Sequence, residues 1–360
     1  MNINQIKLIT CPYCENTFKK NIIVKIKGKV IEYGSVYCQC DEFPIIEGIL
    51  LLDKKKAKPV LEFIKKKDTK NALIKSILPF KKNYIYKLIK FEKISRFILT
   101  ILLNKNKLEN PRTLKFLLTL LTTKEEARYH LNRKKEYDSL LIFFPTLLLE
   151  KNQTLQWLNL GSGLMNYYSK IHNHFSKKIL FISVEQSFIS LFFSNFFNKK
   201  NKNVIKICTN SSIGKLTKNK NDIVTMIDMI PFLENQRNQI EVAENSLKKD
   251  GLLYISGLME HMYLPPNSHC FPLLIDTVQS FFSKKTIIIN EAKLLHQIEN
   301  NSIFIKDTIK KEDDKISKYS VLITPQEIAK TKKQTLSKKI TKEAQYYYGD
   351  DPQSFTNKVY

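Results

Sequence analysis

Thr154–Gly163 reads "TLQWLNLGSG". An apolar run closes on two glycines that flank a serine. A run of this length suits a strand buried on both faces of a parallel sheet. A glycine pair at its end lets the main chain turn tightly and approach a ligand closely. The following "NYYSKIHNHF" can be helical. Taken alone, this stretch is equally a nucleotide-type cradle or an ordinary strand-to-helix turn. The chain beyond it decides. "KKILFISVEQS" is a second apolar strand, and it delivers Glu185, 22 residues after Gly163. An acid at that distance, at the end of a second strand, suits a pair of ribose hydroxyls. "KNVIKICTN", "NDIVTMIDMIPFL", the helical "NQRNQIEVAENSLKK" and "DGLLYISGL" continue the alternation. Strands alternating with helices predict a parallel sheet covered on both faces.

The series resembles the class I S-adenosylmethionine-dependent methyltransferase family over about residues 154–257, and loosely to about 325. "LNLGSG" stands where that family has "LDLGCG", "FISVEQS" is similar to its ribose-binding strand, and "DIVTMIDMIPFL" to its fourth strand. "SLKKDGLLYIS" resembles the opening of its fifth strand, with Lys249, Asp250 and Gly251 in the turn. The resemblance implies Gly161, Ser162 and Gly163 beside the methionine part of S-adenosylmethionine and Glu185 on its ribose. It also implies Asn210 near the adenine amine, and Ile227 or Asp228 near the methionine end. Departures stand at Asn159, where an acid is usual, at Met165, where a third glycine is common, and at Asn210, for an adenine-side acid. Phe232 and Leu233 replace a frequent "HL".

Cys11, Cys14, Cys38 and Cys40 form C-x2-C and C-x-C pairs separated by 23 residues. Two close thiol pairs can complete the tetrahedron zinc prefers. "IIVKIKGKVIEYGSVY" between them reads as a β-hairpin around a glycine. Together they predict a zinc ribbon, with a redox-active pair as the other reading. Its ending, "CQCDEFPIIEGILLLD", resembles the "YPI-x-DGIP" close of the small zinc-ribbon family that activates tRNA and translation-factor methyltransferases. Phe43, Pro44, Ile45, Gly48 and Ile49 carry the likeness. The other two cysteines, Cys208 and Cys270, sit in apolar contexts and read as buried small residues.

"DKKKAKP" reads as a linker. Val60 to Glu150 is apolar at helical spacing, with Leu88, Phe91, Ile94, Ile98, Ile101 and Leu102 as one stripe, and is cut by Pro79, Pro111 and Pro145. It reads as a helical layer or a lid, with Tyr129, Arg133 and Tyr137 on one face. The lysine-rich end, "KTKKQTLSKKITKEAQYYYGDD", reads as a polar tail. The expected organisation is a zinc ribbon over 1–53, a helical connector or lid over 54–150, a methyltransferase domain over 151–325 and a basic tail over 326–360. The fold class is α/β: a Rossmann-like class I methyltransferase sheet with an N-terminal zinc ribbon and a helical insert.

Net charge is +25, and arginines number only five, at positions 96, 112, 128, 133 and 237. Phosphate and base recognition favours arginine's planar fork, so the lysines read first as solvated faces and second as a polyanion site. No run reaches the roughly 18 apolar residues of a membrane span, and the N-terminus lacks the zones of a secretory signal. The chain reads as a soluble, cytoplasmic protein.

After the fifth strand, "GLMEHMYLPPNSHCFP" offers Glu260, His261, Tyr263 and His269. His261 and His269 are the candidate bases for an acceptor proton. The absence of an "NPPY"-like tetrapeptide after the fourth strand argues against exocyclic adenine methylation. The first expectation is methyl transfer to an oxygen or nitrogen of a small metabolite or biosynthetic intermediate, with S-adenosylmethionine and zinc as cofactors. Two alternatives stand beside it: an rRNA or tRNA methyltransferase, with RNA as the partner, and a catalytically degenerate scaffold.

Overall fold

The computed structural model describes residues 1–77, 113, 116, 117, 119, 121, 154–164, 179–197, 203–210, 214–259, 271–291, 302–303, 318–323 and 334–335. The chain divides into two compact units: Met1–Lys134 with Gly163–Ser169 and Ser183–Lys218, and Lys135–Ser162 with Lys170–Ile182 and Asn219–Tyr360.

In the first unit, β1 (Lys19–Lys27) and β2 (Val30–Tyr37) form the expected antiparallel hairpin. Gly28 turns it with φ +60°. β3 (Glu42–Ile46) pairs with β2, and β4 (Ile49–Leu51) with β3, both antiparallel. Glu47 and Gly48 join β3 to β4 with φ +49° and +76°. Two left-handed residues in a row are what a type I′ hairpin turn demands. β4 then runs parallel to β7 (Val204–Cys208), with Ile49 opposite Lys206 and Leu51 opposite Cys208. The small antiparallel sheet that follows the first cysteine pair is therefore joined, through β4, to a strand from much later in its own chain. Ile49, Leu50, Leu51 and Leu52 are at most 1% exposed. Burial of such side chains stabilises by about 1.5–3 kcal/mol each.

"DKKKAKP" is not a linker. It opens a helix, α2 (Lys54–Lys65), the second after the single turn α1 (Ile3–Ile6). The Asp53 carboxylate accepts the amides of Lys55 and Lys56, which caps the helix. Ala57, Val60, Leu61 and Ile64 form its buried face. That burial outweighs the bond forgone at Pro59. α3 (Thr69–Ile77) follows, with Ala72, Leu73 and Ile77 buried. α4 (Phe188–Phe197) packs in the same unit. The remainder of the predicted helical layer lies almost wholly outside the described residues.

In the second unit, β5 (Leu155–Leu160), β8 (Asn221–Ile227) and β9 (Leu247–Met259) are parallel neighbours. β12 (Lys318–Ile323) joins β9 antiparallel, and β10 (Ile287–Asn290) joins β12 antiparallel. β11 (Ser302–Ile303) and β13 (Gln334–Thr335) make a separate short pair. β6 (Ile179–Glu185) begins in this unit and ends in the other. Trp157, Phe181, Tyr254 and Tyr319 are fully buried. α5 (Gln236–Asn245) precedes β9 as predicted. The Lys249–Gly251 turn is instead part of β9: the strand begins at Leu247, and the register slips between the Asn221 and Ile223 pairings. The fold is a mixed α/β sheet with parallel strands, of the Rossmann-like class I type expected.

Candidate functional site

Cys11, Cys14, Cys38 and Cys40 converge in the first unit. Their sulfur atoms all lie within 4.8 Å of one another. Cys40 Sγ is 3.6 Å from Cys11 Sγ and 3.4 Å from Cys38 Sγ. Thiolates about 2.3 Å from a tetrahedral ion are about 3.8 Å apart, so the set fits such an ion. Backbone turns present the thiols: the Cys11 amide donates to Asn16, the Glu15 amide to Cys11, and the Cys38 amide to Asp41. Burial pushes the Cys11 thiol up to about 11. At Cys14 burial acts the same way, but hydrogen bonds from the Asn16 amide and from neighbouring groups prevail and bring it down to about 6. A cation would lower all such values, because it binds the thiolate. Phe43 stacks on Tyr13 and meets Phe18 edge-on.

The glycine turn has two faces. In the first unit, the Gly163 amide donates to Glu185 Oε2 at 2.8 Å, and the Ser187 amide to Oε1 at 2.9 Å. The sequence pairing of Gly163 with Glu185 is thus a direct contact. Asn210 is exposed two residues beyond Cys208, where β7 ends. Thr209 between them donates its amide to the Glu185 carbonyl. Its hydroxyl is buried and has no hydrogen-bond partner among the described residues.

In the second unit, Gly161 has φ +68°, and a Cβ there would lie 2.6 Å from Met229 Sδ. Packing against Met229 alone accounts for this glycine. Ser162 and Ile227 are buried. Asn159, read as a departure, is 0% exposed. Its Oδ1 accepts from the Thr225 hydroxyl at 2.8 Å, and that hydroxyl accepts from Trp157 Nε1 at 2.9 Å. A neutral amide suits this chain, because a carboxylate there would be a buried charge. Phe232, in the "FL" that replaces "HL", is 49% exposed.

Asp228 is 6% exposed and sits at φ +50° directly after β8. Its amide donates to the Ser256 carbonyl. Gly257, φ +74°, lies against it: a Cβ there would be 2.9 Å from Asp228 Cα. Buried Glu291, which sequence reasoning missed, accepts the Gly257 amide at 2.7 Å. The signal available was the isolated glycine in "YISGLM", because a glycine inside a strand marks a close backbone approach. Glu260, His261, Tyr263, His269, Cys270, Met165, Tyr129, Arg133 and Tyr137 lie outside the described residues.

No protein-family model matches the chain, and no curated protein sequence matches it. Among solved structures it is similar to the plantazolicin methyltransferase BpumL in complex with a triazolic desmethylPZN analogue and SAH, at 13% identity. The match covers 61% of this chain and 98% of that one, with a TM-score of 0.43. It is similar to phosphoethanolamine N-methyltransferase 2 of Haemonchus contortus with S-adenosylmethionine, at 13% identity over 53% of each chain and a TM-score of 0.40. A Haloferax volcanii complex containing the Trm112 methyltransferase activator matches at 9% identity. It covers 55% of this chain and 96% of that one, with a TM-score of 0.38. Among the described residues, no helix is long and apolar enough to cross a membrane.

Proposed function

We propose that the chain binds S-adenosylmethionine and transfers its methyl group to an oxygen or nitrogen of a small metabolite or biosynthetic intermediate. The observation that carries the reading is the Glu185 carboxylate at the end of β6. Each of its oxygens accepts one main-chain amide, from Gly163 or Ser187. A carboxylate oxygen has a second lone pair, so each remains able to accept one hydroxyl of a ribose diol. The two amides fix the carboxylate before any ligand arrives, which lowers the ordering cost of binding. The Thr209 hydroxyl, without a partner among the described residues, and the exposed Asn210 amide, next along the same unit's chain, would supply further polar contacts. Gly161, Ser162, Ile227 and Asp228 complete the proposed contacts.

The cofactor, when bound, supplies a methyl group already activated on a sulfonium. The chain's own tasks are to align the acceptor, exclude water and accept a proton, the last assigned to His261 or His269. Cys11, Cys14, Cys38 and Cys40 would hold zinc as a structural ion, because four thiolates leave no open coordination position. In this reading the ribbon supports its own methyltransferase domain through the β4–β7 pairing.

Calorimetry with S-adenosylmethionine tests the reading. Wild type is expected to bind, and Glu185→Ala to weaken binding by roughly tenfold or more, the cost of losing charge-assisted hydrogen bonds. A wild type that binds nothing overturns the reading in favour of a scaffold. RNA is the second candidate acceptor, supported by Lys19, Lys20, Lys25 and Lys27 on the largely exposed strand β1. RNA affinity that falls steeply with salt would transfer the assignment to that class.

A further inference from the structure

Asp228 holds a left-handed backbone that side-chain-bearing residues seldom adopt, although aspartate tolerates it better than most. It stands at the carboxyl end of β8, and such strand ends face the ligand crevice in open α/β sheets. Residues kept in sparsely populated conformations persist only where their surroundings enforce them. At Asp228 the enforcement can be followed atom by atom. The Asp228 amide is tied to the Ser256 carbonyl at 2.9 Å. The next residue along β9, Gly257, is itself left-handed at φ +74°. It presents a bare Cα to Asp228: a Cβ would lie 2.7 Å from Asp228 Oδ1 and 2.9 Å from its Cα. No side chain fits between the two main chains, so the position of one sets the position of the other.

Gly257 is held in turn. Its amide donates to Glu291 Oε1 at 2.7 Å. The same oxygen accepts the Ser320 hydroxyl at 2.6 Å. Ser320 Oγ lies 3.2 Å from the Tyr254 hydroxyl. A serine has one proton, and Ser320 has spent it on Glu291, so Tyr254 is the donor in that contact. The result is a directional chain, Tyr254 to Ser320 to Glu291, with the Gly257 amide as the second donor to the acid. Glu291 is 4% exposed, and Tyr254 and Ser320 are fully buried. Strand register places the partners. Ile289 of β10 lies opposite Ser320 of β12, and Glu291 follows directly after β10, which ends at Asn290. A buried carboxylate is costly without such partners. Its retention beside a glycine that packs on Asp228 calls for a role beyond filling space.

We propose that Glu291 is a positioning residue: it clamps the Gly257 amide and, through Gly257, sets the direction in which Asp228 presents its carboxylate to a ligand. The inference rests on the cofactor reading above for the identity of that ligand. The clamp itself does not depend on it.

The experiment combines a double-mutant cycle with a ligand-free readout on the full chain. S-adenosylhomocysteine binding is measured by calorimetry for wild type, Asp228→Ala, Glu291→Ala, the double variant and Glu291→Gln. Glu291→Ala is expected to weaken binding by roughly tenfold, as for other lost charge-assisted contacts. It is expected to have no further effect in the Asp228→Ala background, because coupled residues are non-additive. Glu291→Gln keeps an acceptor oxygen and is expected to recover most of the loss. A purely structural glutamate would lower the melting temperature and leave the affinity of the folded protein unchanged. Equal losses in both backgrounds, or none in either, overturn the proposal while leaving the cofactor reading intact. If wild type binds no S-adenosylhomocysteine, the cofactor reading fails, and the clamp is judged by the carboxyl and amide resonances of Asp228 in labelled protein. Glu291→Ala should move them and Glu291→Gln should largely restore them. Unmoved resonances overturn the clamp. Should Glu291→Ala fail to fold, Ser320→Ala removes one donor to the same oxygen and is expected to act in the same direction, a few-fold weaker. An unchanged affinity and unchanged Asp228 resonances in Ser320→Ala then count against the proposal.

Discussion

The cysteine cluster and the Gly163–Glu185 contact both belong to the first unit, and they are built on opposite principles. The cluster gathers four identical side chains within 4.8 Å, and their sulfur atoms contact chiefly one another. The glycine turn uses backbone amides and one carboxylate, and those groups already satisfy each other. The first arrangement fits an ion that the protein itself does not supply. The second is preorganised, and a ligand would add to it. On the proposed reading, an ion would contribute folding energy at the cluster and a cofactor only occupancy at the turn.

Metal removal tests the first half of that contrast and should give the largest effect. Structural zinc in small domains contributes about 10–16 kcal/mol of apparent binding energy. Stripping the chain with a strong chelator, or substituting Cys38→Ser, should abolish amide protection across β1 and β2, read by hydrogen exchange. Protection that survives in demonstrably metal-free protein would break the comparison. Next in size is Gly161→Ala. The left-handed conformation alone costs about 1–2 kcal/mol for a residue with a Cβ, and the Met229 sulfur stands 2.6 Å from that carbon. Urea denaturation should report a loss of that order or more. Adding Met229→Ala should recover the steric part and leave the backbone part.

The smallest effect per step of the measurement concerns the seam where β4 meets β7. Lys206 Nζ is buried and donates to Ser194 Oγ at 2.7 Å and Asn195 Oδ1 at 2.6 Å. Asn195 in turn donates to the Glu47 carbonyl in the turn before β4. Burial depresses the Lys206 ammonium to about 7. Below that pH both folded and unfolded chains carry the proton, so its contribution is flat. Between about pH 7 and the unfolded value near 10.4, the unfolded chain binds more protons, so stability rises with pH. The slope is at most about 1.4 kcal/mol per pH unit. Thermal melts of wild type and Lys206→Met across this range should differ by that slope. Parallel curves would remove Lys206 from the account.

The parts legible in sequence were those fixed by local chemistry. Cysteine spacing announces the convergence of Cys11, Cys14, Cys38 and Cys40, because two close pairs on neighbouring turns can meet at one point. Buried parallel strands are continuous apolar runs, so "TLQWLNL" and "ILFISV" announce themselves. Gly28 marks its hairpin. What escaped was set by partners distant in the chain. Asn159 looked like a lost acid until strand pairing brought Thr225 opposite it. "DKKKAKP" looked like a linker because its lysines hide an aspartate cap and a buried alanine. Glu291 sits in "IIINEAK" with no local sign that Gly257, 34 residues earlier, donates to it.

The parallel join of β4 to β7 carries a consequence for concentration. A strand tethered within the same chain meets its docking edge at an effective concentration set by the intervening chain, whatever the concentration of the protein. Dilution separates two associating subunits but leaves such a join closed. Whatever the cysteine-bearing hairpin does for the strand beneath it, it does in one-to-one proportion in every molecule, at any level of expression.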